Sequence, residues 1–318
     1  MKYYQVLIKN VPQLLTYQSA EKVPMGSLIS TTLGKRNTNG IVISEVPTPE
    51  YECISLQKVL IPEALSPLQI ELCRWMSHYY FASLQRCVQL FVPTIIWNHK
   101  RDPKSKDGEL INPDANRPSK PYHDQPLTVE QKQVLDTILD SGNQQQRSLR
   151  KNEEIKKQAC LSGRQGNKND SSFPRFLGSS FLLHGITGSG KTEIYLQLIK
   201  KNVQENRQTV LLVPEIALTT ELIQYFSAHF PDQISIIHSR LTDRERIQSW
   251  HRIHQGKTKL ILGSRSALFT PWKNLGAIII DEEHEWNYKQ EQSPRYHAKT
   301  VAEQIVSRMA GHDPAVET

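Results

Sequence analysis

The sequence predicts an α/β protein: a parallel sheet covered by helices, preceded by a small, mostly β domain and a short helical one. Three observations lead there. After residue 181 short apolar runs alternate with helical stretches, a glycine-rich loop opens that region, and residues 1–60 hold short β-rich runs between turn residues. A chain of 318 residues has room for more than one such core.

In residues 1–60 the runs Tyr4–Ile8 and Gly40–Ser44 alternate with turn residues that include Asn37 and Asn39. From Ser66 the period becomes helical: Leu68, Leu72, Trp75, Met76 and Tyr79 share one face, and Val88–Pro93 follows as an apolar stretch. Residues 61–97 therefore form a small helical accessory domain. Residues 98–125 are polar and proline-rich, without a period, and read as a linker. Residues 126–318 then form the α/β domain, interrupted by a second polar stretch at 141–180. That stretch carries eight Lys/Arg against three Asp/Glu, most of the chain's net +7. Few aliphatics stand there to offset ordering, so disorder is expected. It reads as a solvated insertion or as a non-specific DNA tether.

Within the α/β domain, Phe181–Leu183, Val210–Val213, Ile234–Ile237, Leu260–Leu262 and Ala277–Ile280 are short apolar runs of the kind buried in parallel sheets. One intervening helix opens on Thr242 with Glu245 three residues on, a capping box, and turns Ile247 and Trp250 inward.

The basic balance, with a pI near 9.1, makes nucleic acid a plausible partner without demanding it. Cys53, Cys73, Cys87 and Cys160 are scattered, with no C-x-x-C pair. They suggest neither a disulfide framework nor a zinc site. No apolar run is long enough for a signal peptide or a membrane span, so a cytoplasmic protein is expected.

Gly185–Thr192 reads GITGSGKT and fits G-x-x-x-x-G-K-[ST], between an expected strand and an expected helix. Gly185, Gly188, Ser189 and Gly190 let backbone N–H groups turn onto phosphate oxygens at a helix N-terminus. Lys191 reaches the β- and γ-phosphates of ATP, and the Thr192 hydroxyl holds Mg²⁺. Ninety residues beyond Lys191, the run Ala277–Ile280 ends in Asp281-Glu282-Glu283-His284. Carboxylates at the carboxyl edge of a parallel strand face the ligand crevice. Asp281 takes the magnesium, Glu282 aligns and polarises the attacking water, and His284 links the nucleotide site to a second ligand.

Gln131, in PLTVEQ at Pro126–Gln131, either reads an adenine edge or forms a capping box with Thr128; one residue can do both. LVPEIALT (Leu212–Thr219) and GSRSALFTPW (Gly263–Trp272) follow two strands with hydroxyls and backbone groups suited to a phosphodiester, and Arg265 adds a charge. Trp286, Tyr288, Lys289, Arg295, Tyr296 and His297 form an aromatic and basic loop after the acidic motif. Rings between cations stack unpaired bases and neutralise phosphates. The rival reading is aromatic packing against the sheet.

Together these motifs resemble the primosomal replication-restart DNA helicases of superfamily 2, the PriA family. The resemblance rests on PLTVEQ, GITGSGKTEIYL, LVPEIALT, His238-Ser239, LGSRSALFTPW and IIIDEEHEWNYKQEQSPRYHAKTVA, and covers 126–140 and 181–305. More weakly, LGKRNTNGIV at Leu33–Val42, with Lys35 and Arg36, is similar to that family's DNA 3′-end-binding domain, and Glu71–Pro93 to its winged-helix domain. The resemblance implies a first RecA-like lobe of an ATP-driven 3′-to-5′ helicase that acts on branched and single-stranded DNA. It implies primosome and single-strand-binding proteins as partners. It also implies that Trp286–His297 couples single-stranded DNA to hydrolysis. Against the family pattern, Thr318 comes before the next helicase motif, so the expectation is a chain truncated ahead of the second lobe and its arginine finger. The family's paired zinc-binding cysteines have no counterpart here, and zinc is not expected. The rival function is a fork- and nucleotide-binding module without unwinding activity. A small-molecule kinase explains neither the acidic motif nor the aromatic loop.

Overall fold

The structure, a computed structural model, describes residues 1–98, 126–140, 180–186 and 188–310. Apart from Asn98 and Ser180, the stretches read above as linker and insertion lie outside the described residues, as does Cys160. The chain divides into two compact units, Met1–Tyr122 with Lys201–Ala302, and His123–Lys200 with Glu303–Thr318.

The first unit begins with a six-stranded sheet. Strands β1 (Lys2–Ile8), β2 (Leu14–Ser19), β3 (Leu28–Leu33), β4 (Arg36–Val46), β5 (Ile54–Ser55) and β6 (Lys58–Ile61) lie in the order β5-β2-β1-β4-β3-β6. All its pairs are antiparallel except β2 with β5. Alternate residues of β1 (Tyr4, Val6 and Ile8) pack with Tyr17, Val23, Ile29 and Val42 on one face, as the two-residue period of a strand dictates. Polar tips inside this core are satisfied: Val23 N donates to the Tyr4 hydroxyl, and the Tyr17 hydroxyl donates to the Thr32 carbonyl. In the β3–β4 hairpin Leu33 pairs with Arg36, leaving the two-residue loop Gly34-Lys35. Gly34 takes φ +59°, which such tight loops require at this position.

Three helices follow: α1 (Pro67–Tyr79), α2 (Leu84–Phe91) and the single turn α3 (Thr94–Trp97). The Ser66 hydroxyl accepts from Gln69 N while the Gln69 side chain accepts from Ser66 N, a capping box sealed by Pro67 at the first helical position. The buried face of α1 is Gln69, Ile70, Leu72, Cys73 and Met76. It is rotated from the expected stripe, leaving Tyr79 exposed and Trp75 stacked on it at 4.9 Å. Rings pair on the surface here instead of entering the core. Burial pushes the thiols of Cys73 and Cys87 upward, the latter to about 12, so both are inert packing groups. Among the described residues, 62–97 contains no strand.

The remainder of this unit is the parallel sheet. Strands β7 (Gln208–Leu212), β8 (Ile234–Ile237), β9 (Leu260–Gly263) and β10 (Leu275–Ile280) lie in the order β10-β7-β9-β8, every pair parallel. Helix α4 (129–140) and α5 (Lys191–Gln204) precede it; α6 (Thr220–His229) and α7 (Asp243–His254) connect its strands, and α8 (Ala298–Met309) follows. The α7 capping box forms between Thr242 and Glu245, with Ile247 and Trp250 buried as expected.

The expected strand at Phe181–Leu183 does not form. Residues 181–186 have no regular structure, with Phe181 and Leu182 exposed. A three-residue run offers few ladder hydrogen bonds to offset the entropy of ordering it.

The helical module is docked on the parallel-sheet module by buried polar contacts inside one unit. Gln69 Nε2 donates to the carbonyls of Thr270 (3.3 Å) and Trp272 (3.2 Å). Trp250 Nε1 donates to the Phe91 carbonyl, and the Phe91 ring meets Phe269 edge-on at 5.2 Å. Asn39 and Trp97 exchange side-chain to backbone hydrogen bonds, tying β4 to α3.

Candidate functional site

In the second unit the glycine-rich loop runs into the N-terminus of α5. Gly188 and Gly190 take φ +82° and +80°, the left-handed region that favours glycine, and this turns the chain tightly into the helix. Lys191 Nζ donates to the Gly185 carbonyl at 2.8 Å, so its ammonium folds back over the hollow of the loop. Thr192 follows in the first turn. Gln131 makes the capping hydrogen bonds: Thr128 N donates to its Oε1 at 2.9 Å, and Gln131 N to the Thr128 hydroxyl at 3.3 Å. Its Nε2 reaches the Ser189 carbonyl at 3.1 Å, and a side chain at Gly190 would collide with that amide. Gln131 thus braces the loop as well as capping α4. Loop amides at a helix N-terminus, an ammonium and a hydroxyl are the donor set that a magnesium-bound triphosphate requires.

In the first unit β10 ends at the acidic motif. Asp281 N continues the ladder by donating to the Leu212 carbonyl at 2.9 Å, and the Asp281 carbonyl accepts from the Tyr288 hydroxyl at 2.6 Å. The backbone of Asp281 is therefore held from both sides. Glu282 takes φ +47°, a left-handed conformation costly for a residue with a Cβ, and such strain concentrates at functional turns. Its carboxylate lies 3.7 Å from His284 Nδ1, and Glu283 pairs with Lys299 at 3.0 Å. His284 is exposed. Ser239, singled out only by resemblance, donates its hydroxyl to the carboxylate of Glu215 in LVPEIALT.

The aromatic loop divides into an exposed and a buried set. Trp286 is 69% exposed, and Lys289 and Arg295 are exposed. Tyr288 and Tyr296 are buried, which corrects the expectation that they present stacking faces. The Tyr288 hydroxyl also donates to the Leu212 carbonyl, and Tyr296 packs edge-on against Phe269 at 4.7 Å. Burial pushes the Tyr296 hydroxyl well above its ordinary pKa; the Arg265 guanidinium beside it pulls the other way. For these two rings the packing reading holds, because each hydroxyl finds a partner inside the fold.

Arg265 is engaged as well. Its Nη1 donates to the carbonyls of Asn287 (2.6 Å) and Lys289 (2.7 Å), so it staples the loop to the turn after β9. A lone arginine in a sequence does not disclose such backbone partners. Lys289 Nζ donates to the Arg295 carbonyl and lies 5.9 Å from the centre of the Tyr80 ring, and His297 is half-buried. Lys35 and Arg36 stand exposed at the β3–β4 hairpin.

Two family models match the chain in succession. One described as a 3′ DNA-binding domain matches residues 5–93, and the DEAD/DEAH box helicase model matches residues 168–310. Curated relatives named replication restart protein PriA are similar to it. That of Helicobacter pylori (strain 26695) is 33% identical over 294 residues, covering 92% of this chain and 39% of the relative. That of Chlamydia muridarum is 30% identical over 354 residues, covering 94% and 46%. The Bacillus subtilis relative is 53% identical over 122 residues, which cover 38% of this chain and 15% of the relative. The chain spans less than half the length of these relatives. Among the described residues, no helix is long and apolar enough to cross a membrane.

Proposed function

Because the chain belongs to the PriA family of superfamily 2 helicases, we propose that it supplies the DNA-binding module and first ATPase lobe of a 3′-to-5′ replication-restart helicase. The observation that carries this reading is the succession in one polypeptide of a 3′ DNA-binding domain match and a DEAD/DEAH helicase match. A protein that only hydrolyses nucleotide has no use for the first, and a passive DNA binder has none for the second.

Each residue then has a role. Lys191, with the backbone of Gly185, Gly188, Ser189 and Gly190, holds the phosphates of ATP. Thr192 and Asp281 hold magnesium, which when bound neutralises phosphate charge. Glu282 aligns the attacking water, and Gln131 fixes the loop that receives the nucleotide. His284, exposed beside Glu282, couples it to a second ligand. Lys35 and Arg36 contact the DNA backbone from the hairpin, and Trp286, Lys289 and Arg295 contact an unpaired strand. The pair α1 and α2 supplies the helical part of a winged-helix domain. Branched and single-stranded DNA are the substrates, primosome and single-strand-binding proteins the partners, and the cytoplasm the place of action.

The test is ATP turnover by the 318-residue chain with and without forked DNA, beside a fork-binding titration. Fork binding together with DNA-stimulated turnover supports the reading. Fork binding without turnover would favour the binding-module alternative, and absence of both would reject each.

A further inference from the structure

We propose that the cleft between the end of α1, the start of α2 and the loop after the acidic motif binds an unpaired DNA strand, with Phe81 as the platform on which a base stacks. The proposal deepens the helicase reading above and rests on it.

The cleft measures about 900 Å³, and Tyr80, Phe81, Arg86, Gln290, Pro294 and Arg295 are among its lining residues. Every element around it belongs to the first compact unit. Phe81 is 95% exposed and takes φ +48°. The hydrogen bonds explain the angle: Ala82 N donates to the Ser77 carbonyl at 3.0 Å and Phe81 N to the His78 carbonyl at 3.3 Å. This is the Schellman ending of a helix, whose left-handed position is ordinarily glycine. A bulky aromatic there is strained. At 95% exposure no burial of the ring within the fold offsets that strain. A ring held out at such a position is explained by something that docks on it.

Its neighbours fix the chemistry of that ligand. Tyr80 stands edge-on to Tyr79 at 4.9 Å and to Trp75 at 5.7 Å, so the rim beside Phe81 is a rigid aromatic cluster. The exposed guanidinium-bearing residues Arg86 and Arg295 outweigh the single lining carboxylate, Glu291. The side-chain amides of Gln89, Gln290 and Gln292 offer donors and acceptors to base edges. A small apolar ligand would want a mostly apolar wall. Rings, guanidiniums and amides together fit a flexible polyanion with flat faces, an unpaired nucleic acid strand. The loop bearing Trp286 leads in sequence into Gln290 and Arg295, which line the cleft.

The experiment titrates the 318-residue chain with fluorescein-labelled circular oligothymidylate. A circle offers no 3′ end, so a 3′-end contact cannot substitute for the cleft. Phe81→Gly removes the ring and places at the left-handed position the residue that suits it. It is expected to weaken binding about five-fold or more, while the thermal midpoint holds or rises. Arg86→Gln is expected to weaken binding and flatten its salt dependence. A Phe81→Gly protein that binds the circle like wild type overturns the proposal. So does one that loses thermal stability, because the ring would then be a packing element. Fork binding by wild type with no affinity for the circle overturns this proposal alone, whereas wild type that binds neither fork nor circle overturns the helicase reading beneath it.

Discussion

The indole Nε1 of Trp250 donates to the backbone carbonyl of Phe91 at 2.7 Å in a buried site, joining α7 of the parallel-sheet module to the end of α2. With the Gln69 amide on Thr270 and Trp272, it makes the helical module an integral part of the first unit.

Trp250→Phe keeps most of the ring and removes the donor. The Phe91 carbonyl is then left buried without this partner, at a cost of about 1–3 kcal/mol. The expected result is a lower urea midpoint with an unchanged denaturant slope. An unchanged midpoint would assign the bond no net weight.

A second link in the same interface titrates. His254 stacks on Trp250 at 5.0 Å, and its Nε2 lies 2.9 Å from the Glu63 carbonyl, so Nε2 carries the proton. Burial lowers its pKa, and Lys273 lowers it further against the opposing pull of nearby carbonyls and Glu63. The folded state therefore favours neutral imidazole. Its contribution is fully present above the unfolded value of about 6.5 and is lost as pH falls from there through the folded value. Stability measured across that window should decline on the acid side, and His254→Gln should flatten the decline. An equal slope in the variant would place the effect elsewhere.

Much of this was legible in the sequence because it is encoded locally. The runs at Val210–Val213, Ile234–Ile237, Leu260–Leu262 and Ala277–Ile280 became four parallel strands, since continuous β-branched and aliphatic residues have few other uses at that length. The Thr242–Glu245 box formed because both partners lie within one turn. Phe181–Leu183 shares that composition but is short and has no regular structure, which periodicity does not foresee. Tyr288 and Tyr296 were misread for a different reason. Composition gives a ring's capacity to stack, whereas its direction depends on tertiary partners such as Asp281 and Phe269, distant in sequence or fixed only by the fold. Arg265 escaped in the same way, because its partners are backbone carbonyls that any residue could supply.

The division of the aromatic loop predicts opposite phenotypes. Trp286→Ala removes an exposed ring and is expected to weaken single-strand binding several-fold while the thermal midpoint stays near wild type. Tyr296→Ala empties a packed site and should cost about 3–5 kcal/mol of stability, as large aromatic truncations do. Paired binding and melting curves check this. A stable Tyr296→Ala protein defective only in DNA binding would return that ring to the binding face.

Lys191→Ala removes the charge that folds over the loop hollow. Nucleotide affinity should fall by about ten-fold or more, the equivalent of about 1.4 kcal/mol. The helix that follows should keep its thermal stability. Equal ATP affinity in wild type and variant, by a fluorescent-nucleotide titration, would reject the phosphate role.

Arg265 separates two ways in which an arginine serves a DNA-binding site. If it contacts phosphate directly, Arg265→Lys keeps the charge, and both affinity and salt dependence persist. The structure instead shows its guanidinium donating to the carbonyls of Asn287 and Lys289 from one nitrogen, with the Tyr296 hydroxyl beside it. A lysine ammonium is a compact point charge without that planar fork, so it cannot reproduce the staple. Arg265→Lys should therefore loosen residues 286–289, seen as faster amide exchange at Lys289, whose N–H donates to the Trp286 carbonyl. Single-strand affinity should drop by about ten-fold because the loop must be ordered on binding. The slope of log affinity against log salt should match wild type, since no phosphate contact has been removed. Binding by Arg265→Lys equal to wild type, combined with a shallower salt slope in Arg265→Ala, would reassign this residue from holding the loop to contacting DNA.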